Sequence, residues 1–433
     1  MRILHTADLH LGHSLNGWDR ELEHQLWFDR LADIVEQEEI DLLLIAGDIY
    51  DNTNPSGEIQ KLFYRGLTKL KDRRPTLRTV ISGGNHDPVR RLEAPGVLLS
   101  EFDIHVVGGV HRKEDLKTGE LVFDLEQHLV SIPDRLGGIA LHVLAVPFLR
   151  ASDLPGLSFG QSQETGEESP VVAAARRFFA ELTDMALSHI SQLGAADGAA
   201  APLIATSHLH CAGGLESEGA ERRIMIGGSH AIPPNVFPPE LRYVALGHLH
   251  RPQALDGGRL RYSGSCFPLS ATEIGYDHGV TIIEVGTNSV EHRHVSVARP
   301  APVLRLPETG SGQKTLLIED LDAALQALVG DEPLKDSPMG LRPFVYLEMA
   351  ATDSASVITA EAAAQVKARG LRLAGIRVRR EASKEGDEQA TRIITNLKDT
   401  EPEALFSEAY LNKNGIPPEE RHLTAFRDAL AEL

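Results

Sequence analysis

Five short polar clusters carry the residue types that could do chemistry: Asp8-Leu9-His10, Gly47-Asp48-Ile49-Tyr50-Asp51, Gly84-Asn85-His86-Asp87, Ser207-His208-Leu209-His210 and Gly247-His248-Leu249-His250. Any one of them alone reads as a turn or a cap. Five in this order, each directly after an apolar run, are hard to explain that way. They offer carboxylate oxygen, amide oxygen and imidazole nitrogen, a mixture that suits Mn, Fe or Zn and not an all-oxygen calcium cage or a thiolate site. Asp8, His10, Asp48, Asn85, His208, His248 and His250 are more groups than one ion can use while a position stays open for water. Two ions sharing a carboxylate fit better, and paired ions clamp the attacking and leaving oxygens of a phosphoryl centre, so the expected chemistry is phosphoester hydrolysis.

The elements that must position these clusters are legible from hydrophobic spacing. Strands are expected at Arg2–Thr6, Asp41–Ala46 and Leu77–Ile81, separated by helices at Leu22–Glu38 and Ile59–Lys71 whose apolar residues fall on one face. Further strands are expected at Ile104–Val107, Ile139–Val146, Leu203–Thr206, Tyr243–Leu246 and Gly279–Val285. The pattern is that of βαβ units, an α/β fold whose clusters gather at the strand ends where such sheets bind ligands. A surface helix at Val171–Leu193 with flexible flanks interrupts it. The first domain is expected to cover 1–297, a linker rich in proline and glycine 298–312, a small α/β domain 313–400, and two terminal helices 401–433.

At 433 residues the chain has room for two or three domains. Lys plus Arg number 43 against 62 Asp plus Glu, a formal charge of −19, which argues against a diffuse polyanion-binding surface. The segment from Lys61 to Arg91 runs the other way, with nine basic residues and only Asp72 and Asp87 acidic. It is either a solvated helix face or a strip that tracks phosphates. Two cysteines, Cys211 and Cys266, cannot build a disulfide framework. With no apolar leader and no membrane-length apolar run, a cytoplasmic protein is expected.

The order D-x-H, GD-x-x-D, GNHD, a later lone His and G-H-x-H resembles the calcineurin-like metallophosphoesterases. More narrowly, MRILHTADLHLG, the AGDIYD and GGNHD spacing, YVALGHLHR and the later YSGS and PLS resemble the SbcD-type nuclease group. The resemblance implies a metallophosphoesterase β-sandwich flanked by helices, followed by a small α/β capping domain for DNA recognition and C-terminal helices. It puts Asp8, His10, Asp48 and His250 on one metal and Asp48, Asn85, His208 and His248 on the other, with Asp48 bridging. His86 becomes the catalytic residue that protonates the leaving group or stabilises its charge. Asp51 and Asp87 would support ligands rather than bind metal; Asp87 either holds His86 or is the turn residue before Pro88. Arg20, Arg90 and Arg251 are the expected DNA phosphate contacts.

The resemblance also implies two divalent ions per chain, Mn²⁺ with Mg²⁺ as the alternative, 3′ to 5′ exonuclease activity on duplex ends and endonuclease activity on hairpins and single strands. It further implies an SbcC-type coiled-coil ATPase as partner and a homodimer within a heterotetramer, with no membrane. The terminal helices would dock on that ATPase or pack on the cap. Two departures stand out. S-H-L-H sets His208 against His210 for one ligand position, with His208 preferred as nearer the strand end, and Leu9 stands where a tryptophan is common. The competing readings are a phosphoesterase of the same superfamily acting on a nucleotide or small phosphodiester, and a non-catalytic scaffold of a DNA-end complex.

Overall fold

The computed structural model describes residues 1–154, 169–193, 201–217, 231–286, 289–308, 310–330, 334, 337–379 and the isolated positions 410, 418, 422 and 423. Two six-stranded sheets form the body of the first unit. In the first sheet the strands run Val290–Ser296, Gly279–Val285, Arg2–Thr6, Leu42–Ala46, Arg78–Ser82 and Ile104–Val107. The last four are mutually parallel, and Gly279–Val285 joins Arg2–Thr6 antiparallel. In the second sheet the order is Gln253–Leu255, Leu260–Tyr262, Leu241–Gly247, Leu203–His208, Ile139–Ala145 and Leu129–Pro133.

Alternation along the strands decides what each face meets. Ile3, Leu42, Leu44 and Val80 of the first sheet pack against Leu141, Val143, Ile204 and Tyr243 of the second, which makes the sandwich interior. Leu4, Leu43, Ile45 and Ile81 point the other way, onto Trp27, Phe28 and Leu31 of α1 (Glu21–Gln37) and Phe63 and Leu67 of α2 (Gly57–Arg73). Strands buried on both faces explain why the sequence shows near-continuous apolar runs there. Helix Pro170–Leu193 covers the second sheet with Phe178, Phe179, Leu182 and Ile190. It is thus a full core layer and not the surface helix expected, because its apolar face has a sheet to bury against.

The chain divides into two compact units, the first of residues 1–304 and 336–344 and the second of 305–335 and the described residues from Val345 onward. A third, three-stranded sheet, in the order Val303–Leu306, Phe344–Ala350, Arg372–Arg379, has most of its residues in the second unit, which also carries helices Leu321–Val329 and Ala355–Ala368. Val303–Leu306 lies inside the segment expected as a linker at 298–312. Its prolines sit outside the strand, so its pairing is not blocked. The helices expected at 403–412 and 418–430 lie outside the described residues apart from four isolated positions. No helix among the described residues is long and apolar enough to cross a membrane.

Candidate metal centre

The five clusters fall on loops leaving the strand ends of both sheets, and these loops interlock. The backbone N–H of Asp8 donates to the Gly47 carbonyl at 3.0 Å, and that of His10 to the Asp48 carbonyl at 3.0 Å. The resulting side-chain cluster is continuous. Donor atoms of Asp8, His10 and His250 lie within 4.8 Å of one another, as do those of His10, Asp48 and His86, and those of Asp48, His208 and His248. Asp48 and His10 each belong to two of the groups. Asn85 joins the third, its Oδ1 3.0 Å from His208 Nε2 and 3.2 Å from His248 Nδ1. All seven expected ligands are therefore brought together.

Close approach is possible only because glycine precedes key donors. A Cβ on Gly84 would stand 2.2 Å from both the Asp48 N and Oδ1, and one on Gly247 would lie 1.9 Å from the Ala46 carbonyl oxygen. Backbone strain concentrates here too. Among the described residues eight non-glycine positions have positive φ, and four of them are Asp8 (53°), His10 (44°), Asp48 (49°) and His248 (101°). Each such conformation costs on the order of 1–3 kcal/mol, so the surrounding fold must hold it in place.

Electrostatics points the same way. Burial would raise the Asp48 carboxyl, but the neighbouring His208 and His10 hold it well below the usual carboxylate range. Burial drives Asp8 up to about 7, against the pull of His208 and His250. Burial lowers His208, yet the Asp48 carboxylate and its hydrogen bond outweigh that and push it up to about 9. Asp8 Oδ2 and both ring nitrogens of His10 are buried without a hydrogen-bond partner. Buried polar atoms are normally satisfied, and a pair of divalent cations bound to this carboxylate, amide and imidazole set would satisfy them.

His208 and His210 are separated by their surroundings. His208 Nδ1 is fixed on the Ala46 carbonyl at 2.9 Å, leaving Nε2 3.4 Å from Asp48 Oδ2. His210 Nδ1 instead meets Glu216 at 3.4 Å, and its ring centroid is 6.3 Å from that of His248. His86 donates from Nδ1 to the Asp51 carbonyl at 2.6 Å and its backbone N–H donates to Asp48 Oδ1 at 2.9 Å. Asp87 does not hold His86. Its carboxylate accepts from the backbone N–H groups of Gly84, Tyr50 and Ile49 at 2.7, 2.9 and 3.2 Å. The Asp51 carboxylate lies 3.5 Å from His10 Nδ1.

The expected phosphate contacts divide. Arg90 and Arg251 are exposed. Arg20 is 1% exposed, with its guanidinium bonded to Glu23 at 2.7 Å and to the Pro268 carbonyl and stacked 4.1 Å from the centroid of Phe267. It is an interior cation, corrected from a DNA contact, because a buried charge with an ion-pair partner has no reason to leave it. Part of the basic segment is ion-paired. Lys69 pairs with Asp29, Arg73 with Asp33 and Glu36, Lys71 with Asp103, and Arg74 with Asp41. These four of the nine basic residues between 61 and 91 are thus ion-paired, Lys69 and Arg73 with acids of α1.

Two residues near the cluster carry no periodic or motif signal of their own in the sequence. Glu273 ends a 3₁₀ turn at Ala271–Glu273 and places Oε1 2.9 Å from His250 Nδ1. Phe148 packs edge-on against His208, centroids 6.4 Å apart, while its backbone N–H donates to the Gly83 carbonyl. A lone Glu in a loop and a lone Phe after a strand become meaningful only once the chain is folded.

A double-sheet sandwich with a buried Asp, Asn and His cluster at its strand ends is the architecture of a phosphoesterase. The chain belongs to the calcineurin-like phosphoesterase family, whose sequence profile matches residues 1–252. Within that family its place is among the SbcD proteins, the D subunits of the nuclease SbcCD. It is 49% identical over 410 residues to the SbcD protein of Rhodobacter capsulatus, covering 95% of this chain and 94% of the relative. It is 35% identical over 288 residues to SbcD of Bacillus subtilis (66% of each chain) and 32% identical over 310 residues to SbcD of Escherichia coli K12 (70% and 71%).

Proposed function

We propose that this protein is the nuclease subunit of an SbcCD-type complex, hydrolysing DNA phosphodiesters with two divalent cations, Mn²⁺ in preference to Mg²⁺. The observation that carries the reading is the seven-residue cluster with Asp48 shared between its groups. Asp8, His10, Asp48 and His250 would hold one cation, and Asp48, Asn85, His208 and His248 the other. When bound, such a pair lowers the pKa of water and neutralises charge growing on a phosphoryl group.

The protein's own part is positioning and proton transfer. With Nδ1–H donated to the Asp51 carbonyl, His86 in its doubly protonated imidazolium form would carry a second proton on Nε2, which it would give to the leaving alkoxide to become the neutral Nδ1–H imidazole. Arg251, next to the ligand His250 in sequence, and Arg90, five residues after Asn85, are exposed and would contact flanking phosphates. In the second unit Arg305, Arg377 and Arg379 gather around Glu348, an excess of positive charge suited to a polyanion and supporting DNA recognition by that unit. The substrates would be duplex ends, cut 3′ to 5′, and hairpins or single strands, cut internally, in the cytoplasm.

Surface and chain layout support a reading of its assembly. Val97, Leu98 and Phe102, on and just after the short helix Gly96–Ser100, are 83%, 70% and 54% exposed, an apolar patch that supports homodimerisation through the first unit. The partner would be an SbcC-type coiled-coil ATPase docking on residues 401–433, which supplies most of the grip on DNA that a chain of charge −19 lacks. The test is cleavage of blunt and hairpin duplexes, with and without that ATPase, in Mn²⁺ and in Mg²⁺. Cleavage that is strongest in Mn²⁺ with the partner present is expected. Failure to cut any DNA, together with robust hydrolysis of a nucleotide diester, would move the assignment to a small-molecule phosphodiesterase.

A further inference from the structure

We propose that Glu273 is a positioning residue for the metal centre: its carboxylate accepts a hydrogen bond from His250 Nδ1–H and so presents the Nε2 lone pair to one cation and not to the other. The inference rests on the two-cation reading above. Its basis is geometric. Glu273 Oε1 lies 2.9 Å from His250 Nδ1, and both side chains are almost wholly buried, 0% and 4% exposed. Between two such groups a carboxylate can only accept, so the imidazole carries its hydrogen on Nδ1.

The carboxylate is itself held. Its Oε2 accepts the Leu269 backbone N–H at 2.8 Å, and the Ser270 hydroxyl approaches Oε1 at 3.5 Å. The Glu273 backbone carbonyl meets His278 Nε2 at 3.2 Å, which fixes the short 3₁₀ turn that carries it. On the far side of His250 stand Asp8 and His10, its ring 5.1 Å from that of His10. Glu273 thus orients His250, which would in turn present its other ring nitrogen to the cation held with Asp8 and His10. Carboxylates in this relation to metal-binding imidazoles typically change metal affinity about 10- to 100-fold. Of the imidazoles assigned to the other cation, His208 is oriented by a backbone carbonyl, that of Ala46, and not by a carboxylate. Loss of Glu273 should therefore weaken one cation selectively.

The test is calorimetric titration of the metal-free full-length protein with Mn²⁺, comparing the natural chain with Glu273→Ala, Glu273→Gln and His250→Ala. The natural chain should show two binding steps and His250→Ala should lose one. Glu273→Ala should weaken that same step about 10- to 100-fold and spare the other, while Glu273→Gln, whose amide oxygen still accepts from Nδ1, should recover most of it. If His250→Ala removes a step but Glu273→Ala leaves both unchanged or weakens both equally, Glu273 is a packing residue and the proposal fails. If the natural chain shows no step that His250→Ala removes, the metal reading itself fails. Should Glu273→Ala not fold, the Gln variant decides alone: wild-type affinity at one site with slight loss at the other supports the proposal, and equal loss at both contradicts it.

Discussion

Asp87 and Tyr50, far apart in sequence, are joined by a hydrogen bond from the Tyr50 backbone N–H to the Asp87 carboxylate at 2.9 Å, and the same carboxylate also takes the N–H groups of Ile49 and Gly84. One side chain therefore ties the loop carrying Asp48 to the loop carrying Asn85 and His86. Removing it leaves three buried donors unpaired. Asp87→Ala is expected to destabilise the protein by about 2 to 4 kcal/mol, since burial and the nearby Asp48 already make this carboxylate costly and offset part of the loss. Urea denaturation of the metal-free protein measures it, and a change below about 0.5 kcal/mol would show that the loops hold without this tie.

Gly84 and Gly57 make a matched pair. A Cβ at Gly84 would collide with Asp48, whereas one at Gly57, the first residue of α2, would meet nothing within 4 Å. Gly84→Ala should lose metal binding while Gly57→Ala keeps it, read by elemental analysis of the purified proteins. Equal metal content in the two would mean that the Asp48 loop can shift without harm.

Much of this centre is legible in the sequence, for a definite reason. Asp8, His10, Asp48, Asn85, His208, His248 and His250 each follow a buried strand, so type and order carry the signal. Strands such as Arg2–Thr6 and Gly279–Val285 have the expected bounds because they are buried runs flanked by polar residues. Short edge strands such as Gln253–Leu255 have too few residues to show a period, and Val303–Leu306 is masked by the prolines around it. Arg20 departs from expectation because a cation near a ligand loop looks the same in sequence whether it faces solvent or Glu23. Glu273 acts through a contact made across 23 residues, which spacing alone does not reveal.

His86, proposed as the proton donor, lies within the same grouping as His10 and Asp48. His86→Ala should retain the full complement of cations and lower turnover about 10² to 10⁴ fold. Steady-state hydrolysis of a small phosphodiester alongside metal analysis checks it. Loss of a cation in this variant would make His86 a ligand and transfer the acid role elsewhere.

The metal-free protein should respond to pH through His208. Its folded pKa, about 9, lies above the ordinary 6.5 because of Asp48, despite the opposing cost of burial. A raised histidine stabilises the fold fully below the unfolded value, and that contribution fades as pH climbs through the folded one. Asp8, driven by burial to about 7, is ionised in the upper part of this window and leaves His208 as the titrating member. The melting temperature of the metal-free protein should therefore fall between pH 7 and 9, while the Mn²⁺-loaded protein, whose His208 must be neutral to bind, should lack that fall. Identical profiles with and without metal would remove His208 from the ligand set.

Asp48 is proposed to bridge two cations, and counting ions tests this most directly. Elemental analysis of Mn²⁺-loaded protein should find two ions per natural chain, and Asp48→Asn should lose occupancy at both positions, leaving well under two. One ion in the natural chain, or two retained by Asp48→Asn, would contradict a centre built around Asp48.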